Sequence, residues 1–411
     1  MSFTLVSDAA HPTEGSLYGS KSGDASLRQL LVDVSVIQQK DAGTGIQRVV
    51  RALLGALLNA KLGAYTVRPV FATRTMGYKY LNIDSISPRD ECDPPTAFAE
   101  QVDAGPNDIF LALDLAAHIL PKHSRQLKTW KRRGCLVVTV MYDLLPELHP
   151  GWFNAKTRRN YRNWLRAVTK LSDRIICISG DVADQLDRWV AARPWRGNRQ
   201  LQIFQMRLGS DIEHSTPSRG LPGNLLSLSR KLSGQRTLLV VGTIEPRKGH
   251  KFLLPAFEVL WSEVANNDLS LVFVGRPGWK TEKLQAKLRS HPEAGERFFW
   301  FDSASDEFLS HLYAIARGVI VPSLAEGFGL PLAEAVSNGV PVLARDLSVF
   351  RSMNLANVTY FSQDEPTLLA ASINAWMGAG SVARPAGNQL APTWSDSLSD
   401  LLKCLSIEQA H

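Results

Sequence analysis

The stretch Pro322-Ser-Leu-Ala-Glu326-Gly327-Phe328-Gly329-Leu330-Pro331-Leu-Ala-Glu334 sets two carboxylates around a glycine turn that leads into a helical pattern. Glycines there let the backbone turn with its N–H groups facing outward. Pro331 fits the start of a helix, where a missing N–H leaves nothing unsatisfied. Such a turn offers unpaired donors and the positive end of the peptide dipole to an anion, above all a phosphate. Glu326 and Glu334 repel phosphate but accept hydrogen bonds from hydroxyls, which suits a ligand with sugars on both sides of a diphosphate. The plainer alternative is an ordinary strand-turn-helix with two solvated glutamates. The coincidence of glycines, proline and both acids favours the anion site.

Three further segments carry groups of the same kind. Gly242-Thr-Ile-Glu-Pro-Arg247-Lys248-Gly249 ends an apolar run with two adjacent cations, a bidentate fork and a point charge, suited to a diphosphate. Taken alone it is also a plausible solvated turn. Asp41-Ala-Gly43-Thr-Gly45-Ile-Gln-Arg48 again puts glycines before a helix start, permitting close approach of backbone to a ligand or simply making a turn. Met141-Tyr142-Asp143-Leu-Leu-Pro146-Glu147-Leu-His149-Pro150 presents Tyr142 and Asp143 just beyond a strand, while His149 before Pro150 more readily shapes the loop. His118, His123, His250, His291 and His311 stand apart from one another and from acids at metal spacing, so no metal site is expected. Gly-x-Gly-x-x-Gly is absent, and a dinucleotide cofactor is not indicated.

Positioning these segments requires alternating strands and helices. Strands are predicted over Leu30 to Ile37, Tyr65 to Ala72, Asp108 to Leu113, Cys135 to Met141, Arg174 to Ile178 and Leu201 to Met206, with a helix over Gly45 to Leu62. The pattern restarts with strands at Thr237 to Gly242, Ser270 to Gly275, Arg297 to Asp302, Gly318 to Pro322 and Val340 to Ala344. Helices at Gly249 to Val264, Thr281 to Ser290, Ser305 to Ala316 and Leu330 to Ser337 lie between them. Parallel strands need such crossovers, so the expectation is an α/β protein of two Rossmann-like, doubly wound parallel-sheet domains with the ligand in the cleft between them. A chain of 411 residues exceeds what one core ordinarily supports. The expected divisions are a loose tail at 1–28, a first domain at 29–210, a Gly-, Ser- and Pro-rich linker at 211–235 and a second domain at 236–390. A helix at 393–408 would cross back onto the first domain.

Composition narrows the class. With 45% apolar and 21% charged residues the chain is globular, and no apolar run is long enough to span a bilayer. The start shows no secretory pattern, which points to the cytoplasm. Cys92, Cys135, Cys177 and Cys404 are far apart and read as reduced thiols. Between Lys122 and Arg174 lie thirteen basic side chains against three acids, interleaved with Trp130, Trp152, Phe153, Tyr161 and Trp164. That surface suits an anionic membrane or lipid-linked substrate, unless the aromatics point into the core. No nucleic-acid-binding motif accompanies it.

From Leu30 onward these residues resemble the retaining glycosyltransferases of family 4, whose GT-B architecture is two facing Rossmann-like domains. EGFGLPLAE is the most specific element, and TLLVVGTIEPRKG and SLVFVGRPG also look like the family's segments. The opening DVSVIQQKDAGTGIQRVVRALL and VMYDLLPELHP resemble a subgroup of bacterial surface-polysaccharide assembly. The resemblance implies that Arg247 and Lys248 bind the diphosphate of a nucleotide-sugar with the backbone at Gly45. Glu326, Gly327, Phe328, Gly329 and Leu330 would hold sugar and phosphate, Glu334 the ribose, and Asp302 would flank the nucleobase. Gly43, Tyr142 and Asp143 would face the sugar or acceptor, with Tyr142 standing where many relatives have His and unable to act as a base near neutral pH. Arg247, Lys248, Glu326 and Asp143 are thus the expected catalytic set. The implied activity is metal-independent retaining hexosyl transfer, with GDP-mannose as the first expectation for the donor and a lipid-linked or growing glycan as acceptor, at the inner face of the plasma membrane. The competing readings are a nucleotide-sugar epimerase or hydrolase of the same architecture and a non-catalytic scaffold.

Overall fold

Strands buried on both faces read as unbroken apolar runs, and such runs form the centre of both sheets. The structure is a computed structural model that describes residues 27–82, 100–193, 200–378 and 391–409. The expected tail falls outside these residues except at its end, and Cys92 lies outside them. In the first sheet the strands are β1 (Arg28–Asp33), β2 (Tyr65–Phe71), β3 (Lys79–Tyr80), β4 (Ile109–Ala112), β5 (Leu136–Met141), β6 (Arg174–Cys177) and β7 (Gln202–Gln205). Their order is β3-β2-β1-β4-β5-β6-β7, parallel except for β3. The second sheet comprises β8 (Arg236–Val241), β9 (Leu269–Val274), β10 (Phe298–Phe301), β11 (Gly318–Val321), β12 (Val342–Arg345) and β13 (Val358–Phe361). Its order is β10-β9-β8-β11-β12-β13, all parallel. Each sheet reverses winding direction at one place, between β1 and β4 in the first and between β8 and β11 in the second. Ligands of doubly wound sheets bind at the carboxyl ends of the strands at such points.

Each sheet is covered on both faces by helices. On one side of the first sheet lie the helix Gly45–Asn59, opened by a reciprocal Thr44–Gln47 capping box, and the C-terminal helix Trp394–Leu405. Trp394, Leu398, Leu401, Leu402 and Leu405 of the latter are buried in the first domain's core, as the crossover expectation required. At roughly 1.5–3 kcal/mol for each buried large side chain, that helix is integral to the domain. The other face carries Ser124–Arg132, Ala155–Leu171 and Gly180–Ala191.

Three expectations need correction. The first strand stops at Asp33 rather than Ile37, because the chain turns into a short helix, Ser35–Gln39, whose N–H groups at Val36 and Ile37 are held by Asp114. The segment expected to be a linker contains the helix Leu225–Ser233, with Leu228 and Leu232 in the second domain's core beside Ile212. The aromatics interleaved with the basic run point inward. Trp130, Phe153, Tyr161 and Trp164 are buried and Trp152 is half-buried, so the exposed outer face is cationic without an aromatic surface. Among the described residues no helix is long and apolar enough to cross a membrane.

Candidate functional site

The two segments that leave the second sheet's switch point converge. After β8 the chain makes a single turn at Pro246–Lys248, closed by Gly249 at φ 72°. A Cβ on Gly249 would lie 2.1 Å from the Pro322 carbonyl oxygen, so this turn can meet the one after β11 only through glycine. After β11, Pro322–Gly329 passes back across the strand ends into the helix Leu330–Ser337, with Pro331 in its first turn as expected.

The convergence is an ion cluster. Lys248 Nζ lies 2.6 Å from Glu326 Oε1 and Arg247 Nη1 lies 2.8 Å from Oε2, while the Ser323 hydroxyl donates to Oε1 at 2.7 Å. Burial alone would raise the Glu326 carboxyl, but Lys248 and Arg247 hold it down at about 2. The second Nη of Arg247 bonds Glu245 at 2.8 Å. Glu245 was passed over in the sequence because it reads as part of a turn. Its one distinguishing sign was its place two residues before Arg247.

The first domain closes this cluster from the opposite side. Asp143, after β5, is half-buried. Its Oδ1 accepts from the Leu145 N–H at 3.0 Å, and Tyr161 donates to its main-chain carbonyl. Burial raises its carboxyl, opposed chiefly by Arg247. A Cβ on Gly327 would lie 2.0 Å from the Tyr142 carbonyl oxygen and 3.0 Å from Asp143 Cβ, so the domains touch where only glycine fits. The Ser179 hydroxyl donates to the Gly327 carbonyl at 2.7 Å. Phe328 packs into the first domain's core, and Leu330 Cδ1 lies 3.5 Å from the place a Gly45 Cβ would occupy. Gly43, at φ 59°, faces the guanidinium of Arg276 from the loop after β9, a cleft cation that the sequence reading did not single out.

Arg247, Lys248, Glu326, Gly327, Leu330, Asp143, Gly43 and Gly45 therefore come together where the two domains meet, with Phe328 seated in the first domain's core and Gly329 against Phe350 of its own domain. Tyr142, Glu334 and Asp302 differ from expectation. The Tyr142 side chain is buried and its hydroxyl donates to the Leu113 carbonyl at 2.7 Å, so it faces the core rather than a sugar. Glu334 is 1% exposed, with Oε1 paired to Arg48 of the first domain and Oε2 receiving the Tyr313 hydroxyl at 3.0 Å. Arg48 also pairs with Asp306, so it ties two helices of the second domain to the first. Hence the carboxylate expected to take a ribose is engaged by protein in this conformation. Asp302 lies at the end of the edge strand β10, two strands from the cluster, and pairs with Arg289 at 3.0 Å.

Two Rossmann-like sheets meeting across a cleft define the GT-B architecture. HepE of Anabaena, solved in complex with UDP and glucose, matches with a TM-score of 0.57 at 15% identity, covering 91% of this chain and 94% of that one. The N-terminal domain of Candida albicans trehalose-6-phosphate phosphatase matches at 0.58 and 13% identity, covering 94% and 95%. The model of the glycosyl transferases group 1 family matches residues 228–386 of the chain. The serotype-specific mannosyltransferase WbdA of Escherichia coli is 38% identical over 387 residues, 92% of this chain and 45% of WbdA. The O-antigen chain mannosyltransferase B of Escherichia coli is 35% identical over 145 residues, 35% of this chain and 36% of its own length. The chain thus spans less than half the length of the WbdA relatives it matches.

Proposed function

We propose that this chain transfers a mannosyl group, with retention and without a metal ion, from a nucleotide-diphosphate sugar to a growing or lipid-linked glycan of a bacterial surface polysaccharide. GDP-mannose is the donor we favour. The observation that carries this reading is the Arg247–Lys248–Glu326 cluster at the switch point of the second sheet, where Gly327 meets Tyr142 and Asp143 of the first domain. The likeness to mannosyltransferases of Escherichia coli supports the choice of sugar.

Diphosphate would take over the two cations, releasing part of their hold on Glu326 for a hydroxyl of the donor sugar. The acceptor hydroxyl attacks the face from which the diphosphate departs, and the leaving phosphate takes its proton. Protein then contributes position and stabilisation of charge on the diphosphate, through Arg247, Lys248 and the positive end of the helix Leu330–Ser337. Contact between the domains at Gly327 excludes water and limits donor hydrolysis. The cations exposed on Ala155–Leu171, among them Arg158, Arg159 and Arg166, give the first domain an outer face suited to the anionic inner surface of the plasma membrane.

A thermal-shift panel of GDP, UDP, ADP and dTDP, each with and without EDTA, tests this reading. A nucleotide at about 100 times its dissociation constant adds roughly 2.7 kcal/mol of stability. We expect GDP to raise the melting temperature equally with and without EDTA. A shift abolished by EDTA would overturn metal independence, and no shift with any nucleotide at millimolar concentration would overturn the donor site.

A further inference from the structure

Glu245 has no part in the transfer step just described, yet it is a buried carboxylate at the centre of the clamp. It lies four residues beyond the end of β8 and is 4% exposed. One oxygen is 2.8 Å from Arg247 Nη2, and the other, Oε2, is buried with no hydrogen-bond partner. A buried ionised oxygen without a partner is expensive, whereas a protonated one carries no charge to solvate.

Its electrostatic surroundings are crowded. Arg247 and Lys248 belong to its own turn, Glu326 comes from the turn after β11, and Asp143 comes from the loop after β5. The loop after β9 packs on its Cβ through Gly278. That loop's two cations are directed elsewhere, Lys280 to the carbonyls of Gly151 and Phe153 and Arg276 to Gly43. Three carboxylates therefore share two cations before any ligand arrives. A diphosphate adds further negative charge to the same pair and draws Arg247 away from the single contact that Glu245 possesses.

We propose that Glu245 is a positioning residue for the diphosphate clamp, holding Arg247 from behind while the clamp is empty and taking up a proton from solvent as the nucleotide-sugar binds. The only bond formed is the O–H of the Glu245 carboxylic acid. Neutral Glu245 stays packed under Arg247 and leaves the guanidinium to the phosphate. Burial already raises this carboxyl, against the pull of Arg247 and Lys248, which readies it for that step. This inference rests on the reading of Arg247 and Lys248 as diphosphate ligands.

The test is calorimetric titration of the full chain with GDP-mannose, and with UDP-glucose as a second probe, in two buffers of different ionisation enthalpy at pH 7.5. Neither diphosphate diester has a group of its own that titrates there. We expect wild-type protein to take up a substantial fraction of one proton and its affinity to weaken severalfold as pH rises. Glu245→Gln should take up much less and bind with a flat pH profile. Glu245→Asp, which keeps a carboxyl, should restore part of the uptake. No uptake by wild type, a result that needs no variant, overturns the inference, as does undiminished uptake in a folded Glu245→Gln. Arg247→Ala separates the two readings. If it binds the donor like wild type, the clamp itself falls. If it loses affinity while Glu245→Gln takes up protons like wild type, only the role of Glu245 falls.

Discussion

Both domains bury acids at the carboxyl ends of strands beside their switch points, and Asp33 and Asp114 of the first are held in the opposite way to Glu326 of the second. In the first, Asp33 at the end of β1 accepts from the Ser35 N–H at 2.9 Å, the Ser35 hydroxyl at 2.5 Å and the Tyr78 hydroxyl at 2.9 Å. Asp114, after β4, accepts from the N–H groups of Val36 and Ile37, each at 2.7 Å. Burial pushes Asp33 up to about 7 and Asp114 to about 6. In the second domain Glu326 is equally hidden, but its two cations override burial and keep it charged. The first pair works as a joint, fixing the turn out of β1 through hydroxyls and amides. The second holds two cations against a charged carboxylate at the domain contact, the pair proposed above to take the diphosphate.

The largest expected effect comes from breaking the contact between the two faces. Gly327→Ala puts a methyl group where the Tyr142 carbonyl stands, and an offset of about 1 Å between the domains is enough to lose on the order of a hundredfold in kcat/KM. Steady-state kinetics with the donor and acceptor, on protein whose melting temperature is near wild type, checks it; rates near wild type would mean that the closed contact is not the working state. Next, Glu326→Ala and Lys248→Ala each lower turnover at least tenfold, about 1.4 kcal/mol of transition-state stabilisation, with the fold intact. Asp33→Asn should leave turnover within a few fold.

The same comparison predicts opposite pH limbs for stability. Asp33 has a folded value above its ordinary 3.8, so the stability it confers is full below about 3.8 and is lost as pH rises through about 7. Glu326 has a folded value below its ordinary 4.5, so its stabilisation is present above about 4.5 and is lost as pH falls toward about 2. Denaturant midpoints across pH should show Asp33→Asn flattening the limb between about 4 and 7, and Glu326→Gln flattening the acid limb. Interchanged limbs would refute the contrast. The smallest effect concerns the exposed outer face of the first domain. Reversing Arg158, Arg159 and Arg162 to Glu should reduce partitioning onto anionic vesicles without altering donor binding, and unchanged partitioning would leave an ordinary solvated face.

Features made by local sequence were readable in advance. The helix Leu330–Ser337 was predicted at its observed ends, because a strand, a glycine turn and a proline at the first helical turn specify it without help from distant residues. The last helix was legible from its separate apolar period. Features decided by distant partners were not. The orientation of Trp130, Tyr161 and Trp164 depends on which face of each helix meets the sheet. Arg48 lies 286 positions from Glu334, and nothing in either segment announces the pair. The helix Leu225–Ser233 is short, and glycine, serine and proline nearby mask its two core leucines. β13 and the helix Pro366–Gly378 also went unpredicted, the helix having only a weak segregation of apolar residues to one side.

The helix Trp394–Leu405 also bears on how the molecule is made. A ribosome completes β7 at Gln205 and then synthesises the entire second domain before this helix appears. At ordinary elongation rates that interval is roughly 10 to 40 s. Throughout it the nascent first domain has its sheet but lacks Trp394, Leu398, Leu401, Leu402 and Leu405, so a wide apolar seam along Gly45–Asn59 stays open to water. The order of synthesis is therefore not the order of completion. The second domain can finish while the first waits, and the waiting seam is where a chaperone would find its hold.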